Sequence, residues 1–144
     1  KRQLADRDKY RAQVEKWVGI SSVVKVSDDD LTWLYPGKDH IELAKEWVAS
    51  GVSVVVVTRG AEGLIGVTRH GISQAAGVKV DVVDTIGAGD TVGAVIAEAV
   101  KEIGLEELHS GALTVVLEKA ARAAAITCSR KGAQPPTVRE LNHI

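Results

Sequence analysis

The chain has 144 residues, 45% of them hydrophobic, and its 18 basic and 19 acidic residues leave a formal net charge of −1. That size and apolar content suit one domain over residues 1–144 with a real core, and the near-neutral balance gives no basis for nucleic acid or an anionic membrane as partner. A single cysteine, Cys128, excludes an internal disulfide and makes a reducing compartment, the cytoplasm, the expectation.

No apolar run reaches the length of a membrane span, since Val54-Val55-Val56-Val57 is bounded by Ser53 and Thr58, and no signal peptide is read at the start. The chain opens with Lys1 and holds neither Met nor Phe, so a piece of a longer polypeptide is the expectation. In chain order, residues 6–18 predict a helix with Leu4, Tyr10, Val14, Trp17 and Val18 inward, ended by Gly19. Residues 22–26 predict a short apolar strand. Ser27-Asp28-Asp29-Asp30 then reads as a helix-start cluster, and Leu31, Trp33, Leu34 and Tyr35 fill one or two turns before Pro36-Gly37. A further helix begins near Asp39, with Ile41, Leu43, Ala44, Trp47 and Val48 apolar, and stops at Gly51.

Residues 52–58 form a nearly continuous β-branched run, the signature of a strand covered on both faces, parallel and central. Residues 59–63 are a turn. Residues 64–69 and 72–76, joined at His70-Gly71, predict a small antiparallel addition. A strand-like run over 78–83 leads into Asp84-Thr85-Ile86-Gly87-Ala88-Gly89-Asp90-Thr91. There a helix opens whose apolar positions, Val92, Val95, Ile96, Ala99, Val100 and Ile103, share one face. After a connection at 105–108, a second helical run turns Leu113, Val116, Leu117, Ala120, Ala124 and Ile126 inward. A loop follows over 128–136, and 137–141 cap a last helical turn. Strands interleaved with helices predict an α/β fold with a largely parallel sheet flanked by helices. Ligands in such sheets bind beyond the carboxyl ends of the strands, where Ser27, Thr58 and Gly87 fall.

The glycine stretch stands where the chain enters a helix. Its first turn has unpaired N–H groups and a partial positive charge, which suits an anion. Gly87 and Gly89 let a phosphate approach the backbone closely, and Asp90 sets a carboxylate beside it, an outline of phosphoryl transfer. Two better-known glycine loops are excluded. Asp90-Thr91 stands where a phosphate loop needs Lys-Ser/Thr, and Val92 occupies the third glycine of the dinucleotide fingerprint, with Glu106 and Glu107 in a helix connection rather than at a strand end.

Asp84-Thr85-Ile86-Gly87-Ala88-Gly89-Asp90-Thr91, taken with Val56-Val57-Thr58-Arg59-Gly60-Ala61-Glu62-Gly63, resembles the ribokinase-like (PfkB) carbohydrate kinases, and the two blocks keep that family's order and separation. Lys25-Val26-Ser27-Asp28-Asp29-Asp30-Leu31 and Cys128-Ser129-Arg130-Lys131-Gly132-Ala133 look most like bacterial fructokinases. The resemblance runs from about Val14 to the end and covers the family's C-terminal part only. The N-terminal part, which supplies most sugar contacts and a β-sheet lid, lies outside it.

The resemblance implies a ribokinase-like fold and ATP-dependent phosphorylation of a sugar hydroxyl with Mg²⁺, fructose foremost. A kinase for ribose, a nucleoside or 2-keto-3-deoxygluconate is the alternative, as is a nucleotide-binding piece inactive by itself. Sugar and ATP are the implied partners, with a homodimer through the lid. By position, Asp90 matches the catalytic base, and the N–H groups around Gly87, Ala88 and Gly89 match the anion hole. Thr58, Gly60 and Gly63 fall where the family lines the nucleotide's phosphates and ribose. Asp30 falls on the acidic end of a motif associated with Mg²⁺ and phosphate, which normally opens with Asn where Ser27 stands. Asp84 and Ile86 lie where some members bind a monovalent cation such as K⁺. After Asp90-Thr91 the family usually continues Phe, Asn, Ala, Gly; this chain has Val92, Gly93, Ala94 and Val95.

Plainer readings stand beside these. Asp90 could serve a helix N-terminus alone, and Gly60 and Gly63 could be turn residues only. For Asp28 and Asp29, capping and a solvated acidic patch are preferred to metal binding; for Asp30 the two stand level. Cys128 reads as a small buried hydrophobe at a helix end. His40, His70, His109 and His143 read as surface residues, and Trp17, Trp33 and Trp47 as core. Arg130 and Lys131 either reach ATP phosphates or sit in solvent, solvent being preferred.

Overall fold

The computed structural model describes residues 2–141, with side chains from residue 6 onward. Leu4 and His143, placed by the sequence on an apolar face and on the surface, fall outside those described side chains. The elements run α1 (Arg2–Val18), β1 (Val23–Ser27), α2 (Asp28–Leu34), α3 (His40–Ala49), β2 (Val54–Thr58), a 3₁₀ turn (Gly60–Glu62), β3 (Leu64–Thr68), β4 (Gly71–Ala75), α4 (Ala88–Glu107), a π turn (Leu108–Ala112), α5 (Leu113–Cys128) and α6 (Val138–Leu141).

The strands form one sheet in the order β1-β2-β3-β4. β1 and β2 are parallel, with Val23 opposite Val54 and Ser27 opposite Thr58, whereas β2–β3 and β3–β4 are antiparallel. The α/β fold is as expected, but the antiparallel share is larger than the sequence suggests, and the sheet is mixed.

Alternation along β2 builds the layers, because successive side chains of a strand point to opposite faces. Val54 and Val56 join a core with Val92, Val95 and Ile96 of α4 and Leu113, Leu117 and Ala120 of α5. Val55 and Val57 join a second core with Leu31, Leu34, Leu43 and Trp47 of α2 and α3. Val54 to Val57 are therefore all but fully buried. At about 1.5–3 kcal/mol for each fully buried Val, this strand anchors both helical layers.

Several expectations need correction. The run over 78–83 is not a strand; Val78, Val80, Val82 and Val83 are exposed. The backbone bonds recorded there go from the Val83 and Asp84 N–H groups to the Cys128 carbonyl, at 2.8 and 3.1 Å, so the segment is tied to the end of α5 instead of to a ladder. Trp17 and Trp33 are not core. Each is 50% exposed, and both group around Tyr10, at ring separations of 6.4 and 5.8 Å. Trp47 is buried, as expected. His109 is not a surface residue: it is 8% exposed in the π turn, where it stacks on His70 at 5.4 Å and bonds Glu106 at 3.0 Å. Among the described residues, no helix is long and apolar enough to cross a membrane.

Candidate active site

Three chain segments meet at the carboxyl ends of the parallel pair. β1 delivers Ser27, which caps α2: its hydroxyl accepts the Asp30 N–H at 3.0 Å and donates to the Asp30 carboxylate at 2.7 Å. The Asp30 carboxylate takes the Ser27 hydroxyl and not the Ser27 N–H, so the helix is capped by the serine side chain without the full reciprocal box. β2 delivers Thr58 and then the turn through Gly60. α4 presents its first turn. A cavity of about 640 Å³ opens between them, lined by Asp30, Thr58, Gly60, Ala88 and Gly89 among others. Five residues singled out from sequence thus share one cavity.

The head of α4 is bare. Gly87 occupies the cap position in a left-handed conformation (φ 83°, ψ −4°), and no side chain caps the helix. Ala88 N–H reaches the Thr85 carbonyl at 3.3 Å and Thr91 N–H the Gly87 carbonyl at 2.9 Å. Between them, the N–H groups of Gly89 and Asp90 have no recorded acceptor among the described residues. Unsatisfied donors at the positive end of a helix are an anion site in waiting. Asp90 is exposed on that turn, and no hydrogen bond or ion pair to its carboxylate is recorded among the described residues.

Residues outside the cavity lining support this head. Asp84 accepts the Ile86 N–H through one oxygen and the Gly132 N–H through the other, both at 3.0 Å, and these donors, Ile86 first, hold its carboxyl below the usual range. Each oxygen accepts one backbone N–H and keeps a lone pair, so a monovalent cation at Asp84 and Ile86 would share the carboxylate with these two donors. Gly63 does not line the cavity; a Cβ there would stand 2.1 Å from the Ala75 carbonyl oxygen, so its packing against the end of β4 already demands glycine.

For a divalent cation, Asp30 is the sole sequence-expected ligand in the lining. Among the described residues no group of three or more His, Cys, Asp or Glu side chains could hold a metal. One carboxylate with an oxygen left over is compatible with Mg²⁺, which takes few protein ligands when phosphates and water complete its octahedron. Arg130 is neither free in solvent nor in the cavity lining: it pairs with Glu140. Lys131 is exposed.

Two features escape the sequence reading. Thr127, fully buried in α5, bonds Thr91 Oγ1 at 2.9 Å, and Thr91 in turn donates to the Gly87 carbonyl at 2.9 Å. The signal was a polar residue inside an alanine-rich apolar helix. Lys25, which the sequence marks by resemblance alone, also lines the cavity.

A family model described as pfkB family carbohydrate kinase matches residues 2–140. A fructokinase of Rhizobium leguminosarum bv. trifolii is 39% identical over 98 residues, covering 68% of this chain and 30% of the relative. The Escherichia coli fructokinase is 30% identical over 134 residues, 89% of this chain and 42% of the relative. The chain therefore spans less than half the length of these curated relatives. Among solved structures, the Vibrio cholerae O395 fructokinase in fructose-, ADP- and calcium-bound form superposes with a TM-score of 0.77 and 27% identity, covering 92% of this chain and 44% of that one. The aminoimidazole riboside kinase of Salmonella enterica, complexed with aminoimidazole riboside and an ATP analogue, shares the fold at a TM-score of 0.81 and 24% identity, over 94% and 46% of the two chains.

Proposed function

The chain belongs to the pfkB family of carbohydrate kinases, and on that premise we propose that the protein transfers a phosphoryl group from ATP to a sugar hydroxyl, with fructose the leading acceptor. The observation that carries this reading is the uncapped, glycine-lined head of α4 facing a cavity at the carboxyl ends of β1 and β2. The fructokinase relatives support fructose as acceptor.

In this reading the acceptor hydroxyl is held against Asp90. Asp90 orients it and takes its proton as the oxygen bonds to the terminal phosphorus and the bond to the departing ADP breaks. The N–H groups of Gly89 and its neighbours face the phosphoryl oxygens, where negative charge accumulates, and are already aligned before reaction. Thr58 and Gly60 line the nucleotide side, with Gly63 shaping the turn behind them. Asp30 would hold Mg²⁺, which when bound offsets phosphate charge. The test is a coupled assay of ADP release by the full-length protein over fructose, ribose, a nucleoside and 2-keto-3-deoxygluconate, with Asp90→Asn alongside. Fructose is expected to give the highest kcat/KM. Asp90→Asn is expected to lower kcat by about 10²–10⁴-fold while ATP binding is nearly retained. Undiminished turnover by Asp90→Asn would end the assigned role.

A further inference from the structure

A threonine with no exposed surface, set in the alanine-rich run of α5, calls for a reason, because a buried hydroxyl is costly unless it is hydrogen-bonded. Thr127 Oγ1 lies 3.1 Å from the Ala123 carbonyl and 2.9 Å from Thr91 Oγ1, and Thr91 Oγ1 lies 2.9 Å from the Gly87 carbonyl. Three contacts share two hydroxyl protons. With the Thr91 proton on the Gly87 carbonyl, the link between the two threonines takes the proton of Thr127.

These links differ in what they fix. The bond from Thr91 to Gly87 lies within the first turn of α4 and moves with that helix. Thr127 belongs to α5, so its hydroxyl ties the turn to a second element. The Gly87 carbonyl also accepts the Thr91 N–H at 2.9 Å. That carbonyl and the Ala88 N–H are opposite ends of one planar peptide, so fixing the direction of one fixes the other. The bond recorded for the Ala88 N–H itself is a long one, 3.3 Å to the Thr85 carbonyl. The methyl of Thr127 backs the same turn, since a Cβ built on Gly87 would stand 3.8 Å from Thr127 Cγ2. Ala88 and Gly89 line the cavity, whereas neither threonine does.

We infer that Thr127 is a positioning residue for phosphoryl transfer: acting through Thr91, it holds the Gly87–Ala88 peptide so that the N–H groups at the head of α4 keep their direction as charge develops. The inference rests on the kinase reading above and adds to it a residue that touches neither nucleotide nor acceptor. Donors aligned before reaction stabilise the transition state more than the ground state, so their loss falls on kcat more than on KM.

The test measures kcat and KM for ATP and for the sugar in the full-length protein carrying Thr127→Val, Thr127→Ser, Thr91→Val or both valines. Thr127→Val is expected to lower kcat about 10-fold, short of the roughly 10²-fold that a 1 Å misplacement costs, and to leave KM for ATP within about twofold. Thr127→Ser, which returns the hydroxyl, should restore most of the loss. Because Thr127 acts through Thr91, the double variant should be no slower than Thr91→Val alone. Should Thr127→Val fail to fold, Thr127→Cys takes its place, with a weak S–H donor in the same volume. An unchanged kcat in a Thr127 variant that unfolds at lower urea would make the residue structural only and overturn the inference, with the kinase reading intact. Multiplying losses in the double variant would also overturn it, since Thr127 would then act by another route. A protein that phosphorylates no sugar from ATP would remove the kinase reading and this inference with it.

Discussion

Gly87→Ala probes the geometry on which the site depends. Gly87 holds φ 83°, a left-handed conformation that costs an L-residue about 1–2 kcal/mol. The new Cβ would also stand 2.8 Å from Ala133 Cβ and 3.1 Å from Ala133 Cα, closer than carbon atoms tolerate. Overpacking of this kind costs about 1–3 kcal/mol, and the two contributions together give about 2–5 kcal/mol. That is a large part of the roughly 5–15 kcal/mol that holds a protein folded. Ala133→Gly removes the nearer of the two contacts and leaves the backbone conformation to be supplied. The double variant is therefore expected to recover about half of the loss, a coupling near 1 kcal/mol or more in a double-mutant cycle. Urea unfolding of the four proteins measures it, with ATP-analogue affinity as a second readout, since displacing the 129–134 loop or the helix head should weaken binding. Full additivity of the two substitutions would refute the contact. A Gly87→Ala protein as stable as its parent would refute the left-handed cap as well.

Thr127→Val keeps the shape of a fully buried side chain but leaves Thr91 without its partner at 2.9 Å. Because Thr91 keeps the Gly87 carbonyl as acceptor, urea unfolding should show a loss of about 0.5–1.5 kcal/mol, the range for one hydrogen bond, and no loss would mean the two hydroxyls are not coupled. Glu140 caps α6 through the Thr137 N–H at 2.7 Å and pairs with Arg130; these donors, Thr137 first, hold its carboxyl down from 4.5 to about 2. With the folded value depressed, the stabilisation is complete above the ordinary value and lost as pH falls from there toward about 2. NMR titration of the Glu140 carboxyl should show the low midpoint, Glu140→Gln should remove that acid-dependent step in unfolding, and a midpoint in the ordinary range would deny the cap.

Much of the site was legible because its signals are local. Ser27 followed by Asp30 announces a capped helix start, and that is what forms. The glycine stretch announces a helix head open to an anion, and α4 begins at Ala88 with Gly87 as its cap. The β-branched run ending at Thr58 announces the buried central strand. Misreadings arose where a partner distant in sequence decides. The valines at 78–83 have strand composition, but their neighbour is the end of α5, which offers a single carbonyl, that of Cys128, rather than a ladder. Trp17 and Trp33 have apolar spacing, yet each stays half exposed and packs on Tyr10. Thr127 acquires meaning only when Thr91, 36 residues earlier, is brought against it.

Two of these misreadings, at 78–83 and at Thr127, share a physical origin that bears on the proposed chemistry. The segment leading into α4 draws its recorded backbone support from α5 and the loop after it. Cys128 receives the Val83 and Asp84 N–H groups, Gly132 donates to Asp84, Ala133 closes on Gly87, and Thr127 grips Thr91. Arg130 extends the brace to Glu140 and the cap of α6. An anion hole works only if its donors are fixed before charge develops, and a displacement near 1 Å can cost about 10²-fold in rate. The contacts recorded at the head of α4 therefore come from residues some 40 positions downstream, at the end of α5 and in the loop after it, which do not line the cavity. On the proposed function, substitutions there should act on phosphoryl transfer through position and not through contact.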